Sequence, residues 1–234
     1  MNDESHIRYS RLAAVEEIGK EGVRRLSEAT VAVVGCGALG SMVAMQLAAS
    51  GIGSLRLIDF DSIDISNLQR QLFFQTSEAG LKKVEILRER ILALNPSVNV
   101  AFVETLLTER NGKSIIDGVD VVVEATDNPS SMSAIDRICE KNSIPCIMAG
   151  VNGFSGQVLS CLPGSRRYSD LFPTLPESDV LPCSIAGVTA PTAAIAASIQ
   201  TAEVIKYVVG IPLSLADKIL LFDLRNMSFN LIST

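Results

Sequence analysis

TVAVVGCGALGSMVAMQLAAS, residues 30–50, is the stretch on which the reading of this chain turns. Val31, Ala32, Val33 and Val34 make a short unbroken apolar run, the pattern of a strand buried on both faces of a parallel sheet. The run ends in Gly35-Cys36-Gly37-Ala38-Leu39-Gly40. Apolar residues then recur at Leu39, Met42, Val43, Met45 and Leu47, in a helix that stops near Gly51. In this strand–turn–helix order Gly35 permits the tight turn, Gly37 lets backbone approach a phosphate, and Gly40 lets helix and strand pack closely. Free N–H groups at the helix start would face that phosphate. Asp59 follows Gly40 by about 20 residues, where a ribose-binding acid belongs. It closes a second apolar run, Leu55-Arg56-Leu57-Ile58. NAD, FAD, S-adenosylmethionine and ATP all carry a ribose, so these residues do not choose among them. The plain alternative is a tight turn over an empty pocket.

The chain has 234 residues, enough for one large α/β domain with a substantial core. Val, Ile, Leu and Ala dominate and Trp is absent, as suits a parallel sheet covered by helices. The net charge of −6 disfavours broad nucleic-acid binding, which needs many phosphate-neutralising cations. Cys36, Cys139, Cys146, Cys161 and Cys183 include no C-x-x-C pair, which argues against a disulfide scaffold and a four-cysteine zinc site. The acidic, polar start shows no signal peptide, and the expected location is the cytoplasm. No charge falls between Asp179 and Glu203. Its Pro, Ser and Ala runs favour a buried helix in a core or subunit interface over a membrane span.

Residues 1–29 read as a polar helical lead-in anchored by Leu12, Val15, Ile18 and Leu26, interrupted at Gly19 and Gly22, and made basic by Arg8, Arg11, Arg24 and Arg25. Residues 60–71 have no period and form a loop at the carboxyl end of the second strand, where ligands bind in such sheets. Residues 79–94 form an amphipathic helix ended by Asn95-Pro96. Lys82 and Lys83 lie in its first turn, where the helix dipole prefers acids, so an anion is expected nearby. Strands follow at 98–103, 120–124 and 145–148, with a short helix or turn at 111–117 and a helix at 130–141. Asp127 therefore also sits at a strand's carboxyl end. The run at 154–160 alternates as a half-exposed strand would. A Pro- and Ser-rich loop spans 163–182, an Ala-rich helix ends near Gly210, and 218–224 with 227–232 form a terminal hairpin. The fold class is α/β: a Rossmann-like doubly wound sheet, parallel in its N-terminal half and continued by antiparallel strands.

The glycine loop offers N–H donors, Arg70 and Lys83 offer cations, and Asp59 and Asp127 offer carboxylates at strand ends. One Arg and one Lys exceed what a dinucleotide pyrophosphate needs and suit a triphosphate. A nearby carboxylate suits Mg²⁺. These features favour ATP over NAD.

The chain resembles the ThiF/MoeB/HesA family, bacterial relatives of ubiquitin-activating enzymes. The resemblance rests on Arg8-Tyr9-Ser10-Arg11, the glycine turn through Ser41, Asp59-Phe60-Asp61, Ser66-Asn67-Leu68-Gln69-Arg70-Gln71 and Gly80-Leu81-Lys82-Lys83-Val84. It continues in Leu94-Asn95-Pro96, Ala125-Thr126-Asp127-Asn128, Gly156-Gln157-Val158 and Ala186-Gly187-Val188. It implies one adenylation domain over 1–234, with a helical segment (1–29), a nucleotide-binding half (30–150) and a carrier-binding and dimerisation half (151–234). It implies ATP-dependent adenylation of the Gly-Gly carboxylate of a small ubiquitin-like sulfur-carrier protein, with release of pyrophosphate. Asp59 would hold the ribose, Asn67, Arg70 and Lys83 the phosphates, and Asp127 the Mg²⁺. Gly35, Gly37, Ala38, Gly40, Asp61 and Asn128 complete the nucleotide set. Arg11 would reach the ATP of the other subunit in a homodimer, and the 163–182 loop would cover the carrier's tail.

Two departures stand out. Relatives of this type often hold a structural zinc by two C-x-x-C pairs; the first pair's place here reads Arg167-Tyr168-Ser169-Asp170 and the chain ends before a second, so no zinc is expected. Leu12 replaces a Gln common after the second Arg. Cys183 matches a family cysteine that in some members bonds to the carrier during sulfur transfer; a merely packed thiol is the alternative. The other readings are adenylation of a small-molecule or tRNA-borne carboxylate, which the acidic charge disfavours for tRNA, an NAD-dependent oxidoreductase, and a non-catalytic dimeric scaffold.

Overall fold

The structure is a computed structural model that describes residues 7–172 and 187–234. The chain runs α1 (Gly19–Glu28), β1 (Thr30–Val34), α2 (Ala38–Ala49), β2 (Ser54–Ile58), α3 (Lys83–Leu94) and β3 (Asn99–Val103). It continues as α4 (Gly112–Ile115), β4 (Val121–Glu124), α5 (Pro129–Lys141), β5 (Cys146–Asn152), β6 (Ser155–Cys161) and α6 (Tyr168–Leu171). It ends with α7 (Ala190–Val209), β7 (Lys218–Asp223) and β8 (Ser228–Ser233). All eight strands share one sheet in the order β3-β2-β1-β4-β5-β6-β7-β8. β1 to β5 pair in parallel, and β5 through β8 pair antiparallel. The expected half-parallel, half-antiparallel sheet is what forms.

The apolar runs explain this order. Val31 to Val34 and Val121 to Val123 are buried on both faces, because β1 and β4 lie side by side at the centre with helices above and below. One core gathers α2, α3, α7 and their faces of the strands; the other lies under α5 and includes Cys139, Cys146, Cys161 and Tyr168. The uncharged Ala-rich stretch becomes α7, which lies against α2, β5 and β6 with Ala193, Ala196 and Ala197 buried. Small side chains let those backbones approach. Among the described residues no helix is long and apolar enough to cross a membrane.

Three boundaries and one burial pattern differ from the sequence reading. The described lead-in is helical at Ile7 and Arg8, passes through turns and becomes helical again at Gly19, and Gly22 lies buried inside α1 against Ile18 and Val209. The helix expected from residue 79 starts at Lys83, because Gly80 adopts φ +90° and residue 82 pairs with Ser62 as an isolated bridge. β5 runs on to Asn152 because β6 pairs along its whole length. β6 is not half-exposed: Val158 to Cys161 are all buried, since β7 covers its other edge and helices cover its faces.

Asn95, read as a helix stop, is also a buried tie. Its Nδ2 donates to Tyr9 Oη and to Ala48 O, both at 2.7 Å. The N-terminal segment is thereby pinned where α2 ends. The glycine turn is equally tight. A Cβ on Gly40 would stand 1.7 Å from Gly35 O, so helix α2 touches the loop backbone there. Gly40→Ala should therefore cost at least about 1–3 kcal/mol in urea unfolding, the usual range for overpacking. A wild-type midpoint would show that the loop has room to give.

Candidate nucleotide site

The carboxyl ends of β1, β2 and β4 meet around a cavity of about 820 Å³, within the usual range for small-molecule sites. This is the point where strand order reverses about β1. Gly35 makes the geometry possible. It sits at φ +89°, and a Cβ there would lie 2.6 Å from Ala125 O. The loops after β1 and β4 thus pass backbone to backbone. Gly37 and Ala38 line the cavity, while Gly40 lies beneath the loop.

Asp59 ends β2 and is buried. One carboxylate oxygen accepts the Cys36 N–H at 2.6 Å and the other the Asp61 N–H at 2.8 Å. Each oxygen has a second acceptor direction left. The acid is thus aimed by the glycine loop itself, and it can still receive ribose hydroxyls.

The two lysines divide. Lys83 is buried in the cavity wall and its Nζ donates to Asp61 at 2.8 Å; its N–H also bonds Asp61 O. Lys82 reaches out to Phe60 O and Glu104. The chain's own Asp61 supplies one anion beside Lys83. Arg70 lines the cavity, half-buried, with Nη1 on Ser66 O at 3.2 Å. Among the described residues no carboxylate pairs with it. Asn67 does not line the cavity. Its carbonyl accepts the N–H groups of Arg70 and Gln71, so it builds the turn that presents Arg70.

The β4 end supplies the rest. Asp127 and Asn128 line the cavity and are exposed. Asn128 caps α5 by accepting the Ser131 N–H at 2.7 Å, with Pro129 in the first turn. Thr126 bends back so that its N–H and hydroxyl both donate to Glu124 Oε1. Arg11 is exposed on the N-terminal segment and is not part of the cavity. Cys183 lies outside the described residues.

Sequence reasoning missed Gln71, Tyr168 and Phe172. Gln71 is buried and lines the cavity, with Nε2 close to the Gly37 backbone and Oε1 buried without a hydrogen-bond partner. The only signal was its place beside Arg70 in a polar run. Tyr168 and Phe172 line the far wall from α6, and nothing local marked them.

The fold and site define a Rossmann-like α/β protein whose glycine turn faces two cations and two strand-end carboxylates. The chain belongs to the ThiF family, whose profile matches residues 9–234. It is similar to the SAMP-activating enzyme E1 of Haloferax volcanii, 34% identical over 226 residues, or 96% of this chain and 84% of that protein. It is also similar to the sulfur carrier protein ThiS adenylyltransferase of Escherichia coli, 33% identical over 225 residues, covering 95% and 89%. Among solved structures, E. coli MccB with AMPCPP and MccA matches at a TM-score of 0.84 and 26% identity, covering 100% of this chain and 74% of that one.

Glu124 is fully buried under the β4 loop, and burial pushes its carboxyl from the ordinary 4.5 up to about 8. The folded state keeps a proton that the unfolded chain gives up. Its contribution is therefore full below about pH 4.5 and is lost as pH rises towards 8. The melting temperature should fall across that window, and Glu124→Gln should flatten the fall. An unchanged slope in the variant would assign the pH dependence elsewhere.

Proposed function

We propose that this chain is an ATP-dependent adenylyltransferase that activates the C-terminal Gly-Gly carboxylate of a ubiquitin-like sulfur-carrier protein. The observation that carries it is the gathering of Arg70, Lys83 and Asp127 on the glycine loop in one cavity. Family membership and relatives named as sulfur carrier protein and molybdopterin-synthase adenylyltransferases support it. An NAD-dependent oxidoreductase would leave those three side chains unused.

The carrier's carboxylate oxygen bonds to the α-phosphorus of ATP as the bond to the bridging oxygen breaks, and pyrophosphate leaves with that electron pair. The nucleophile is already an anion, so no general base is needed. The barrier is the repulsion between an anion and a polyanion. Arg70 and Lys83 neutralise it, the glycine-loop amides hold the phosphates, and Asp59 fixes the ribose. Lys83 then exchanges its Asp61 partner for phosphate oxygens. The donor set suits Mg²⁺, which is held by one or two carboxylates plus substrate phosphates. Asp127 would hold it, where it would supply further charge neutralisation.

Arg11 reaches a second subunit's nucleotide in a homodimer, because it has no place in its own chain's cavity. The protein works in the cytoplasm, takes no nucleic acid, and uses Cys183 to carry the carrier covalently in sulfur transfer.

ATP–pyrophosphate exchange tests the core of this. Exchange should require a Gly-Gly-ended carrier. Arg70→Ala should lower it about 10²–10³-fold, the usual cost of a charge-stabilising donor, and Asp127→Ala should abolish it. Both variants should keep the fold, since Arg70 is half-buried and Asp127 exposed. Tight NADH binding with no exchange would reject the proposal. For Cys183→Ala the expected result is intact exchange with carrier thiocarboxylation lost; unchanged thiocarboxylation removes the residue from the mechanism.

A further inference from the structure

Beneath the cavity's far wall lies an ion pair that the adenylation chemistry does not use. Arg167, just before α6, is 4% exposed, and Asp136, on the inner face of α5, is 0% exposed. The Arg167 Nη2 lies 2.8 Å from Asp136 Oδ1 and 2.8 Å from the Asp136 carbonyl. The other carboxylate oxygen accepts the N–H of Ser169 at 3.1 Å and its hydroxyl at 3.0 Å. Asp170 accepts the Arg167 N–H at 2.9 Å, closing the turn. One carboxylate therefore binds α6 at two residues.

That arrangement is costly for pure stability. Nε and Nη1 of Arg167 are buried without hydrogen-bond partners. Unpaired buried donors are penalised, and apolar side chains of similar volume often serve a core as well or better. What the pair provides is direction. Between its two anchoring residues sits Tyr168, 2% exposed, whose ring meets that of Phe172 at 4.9 Å. Both rings line the nucleotide cavity. At the other end of the latch, α5 begins immediately after Asp127 and Asn128.

We propose that Arg167 and Asp136 are positioning residues for the nucleotide cavity: their pair fixes the Tyr168–Phe172 wall relative to Asp127 at the head of α5. It rests on reading that cavity as the ATP site. Charge does the bracing here. Arg167 and Asp170 do not make a metal site. A permanent cation occupies one position, and the other carboxylate is turned onto the Arg167 backbone. Among the described residues no three His, Cys, Asp or Glu side chains could together hold a metal ion.

The test uses the full chain. Single substitutions leave a buried charge alone and risk unfolding, so the central variant is Arg167→Met with Asp136→Leu. It should melt at or above the wild-type temperature, yet bind ATP more weakly by on the order of tenfold in calorimetry. Exchange should fall by up to about 10²-fold, as small misplacements at reacting centres do. Arg167→Lys, which keeps the charge opposite Asp136, should bind ATP more tightly than the double variant does. EDTA should leave the wild-type melting temperature unchanged, and purified protein should carry no stoichiometric zinc. A folded double variant with wild-type ATP affinity overturns the proposal, and so does EDTA-induced loss of stability. Wild-type ATP binding without exchange would reject the adenylation reading and leave the latch to be judged on affinity. A wild-type chain that binds no ATP would sink both.

Discussion

The site depends on one close approach, that of Gly35 to Ala125. Where β1 and β4 end side by side, the two chains turn away in loops that touch backbone to backbone. Only a residue without a Cβ, in a left-handed conformation, fits there. From that contact the rest follows. The loop after β1 carries the amides, and one of them, Cys36 N–H, grips Asp59 at the end of β2. The loop after β4 carries Asp127. The amides, Asp59 and Asp127 are therefore set by main-chain geometry; of the cations, Arg70 comes from the connection between β2 and α3 and Lys83 from the first residue of α3.

Those cations take their partners from the chain itself. Lys83 is buried, and its Nζ is paired with Asp61 at 2.8 Å. Asp61 is itself about half exposed, so water reaches the pair. Among the described residues, Arg70 is held by a carbonyl of its own turn. One cation is thus paired with a half-exposed carboxylate, and the other is kept at the cavity by the local chain.

Much of this was legible in the sequence because it is periodic or contiguous. The run Val31–Val34, its glycines and the apolar helix after them are one local pattern. Asp59 and Asp127 were found because a strand's end can be read from where its apolar run stops. The antiparallel half and the buried Ala-rich helix were legible for the same reason. What escaped depends on residues far apart in sequence. Nothing local says that Asp61 will meet Lys83, that Asp136 will meet Arg167, or that Gln71 will fold under the glycine loop. The burial of β6 escaped likewise, because its pattern alternates while its neighbours and helices arrive from elsewhere. The boundary at Lys83 was missed because Gly80 was read as part of a helix rather than as a left-handed turn.

Tyr9 offers a last consequence. Its hydroxyl is bound by Asn95, 86 residues downstream. Asn95 in turn belongs to the junction of α3 and β3, and its second bond goes to the end of α2. The segment around Tyr9 therefore has no resting place until the chain as far as Asn95 has emerged and packed. Its arginines must wait in water meanwhile, and that stretch is tolerable there because it is polar. Docking that waits on so distant a partner suits a segment that does not need a core of its own.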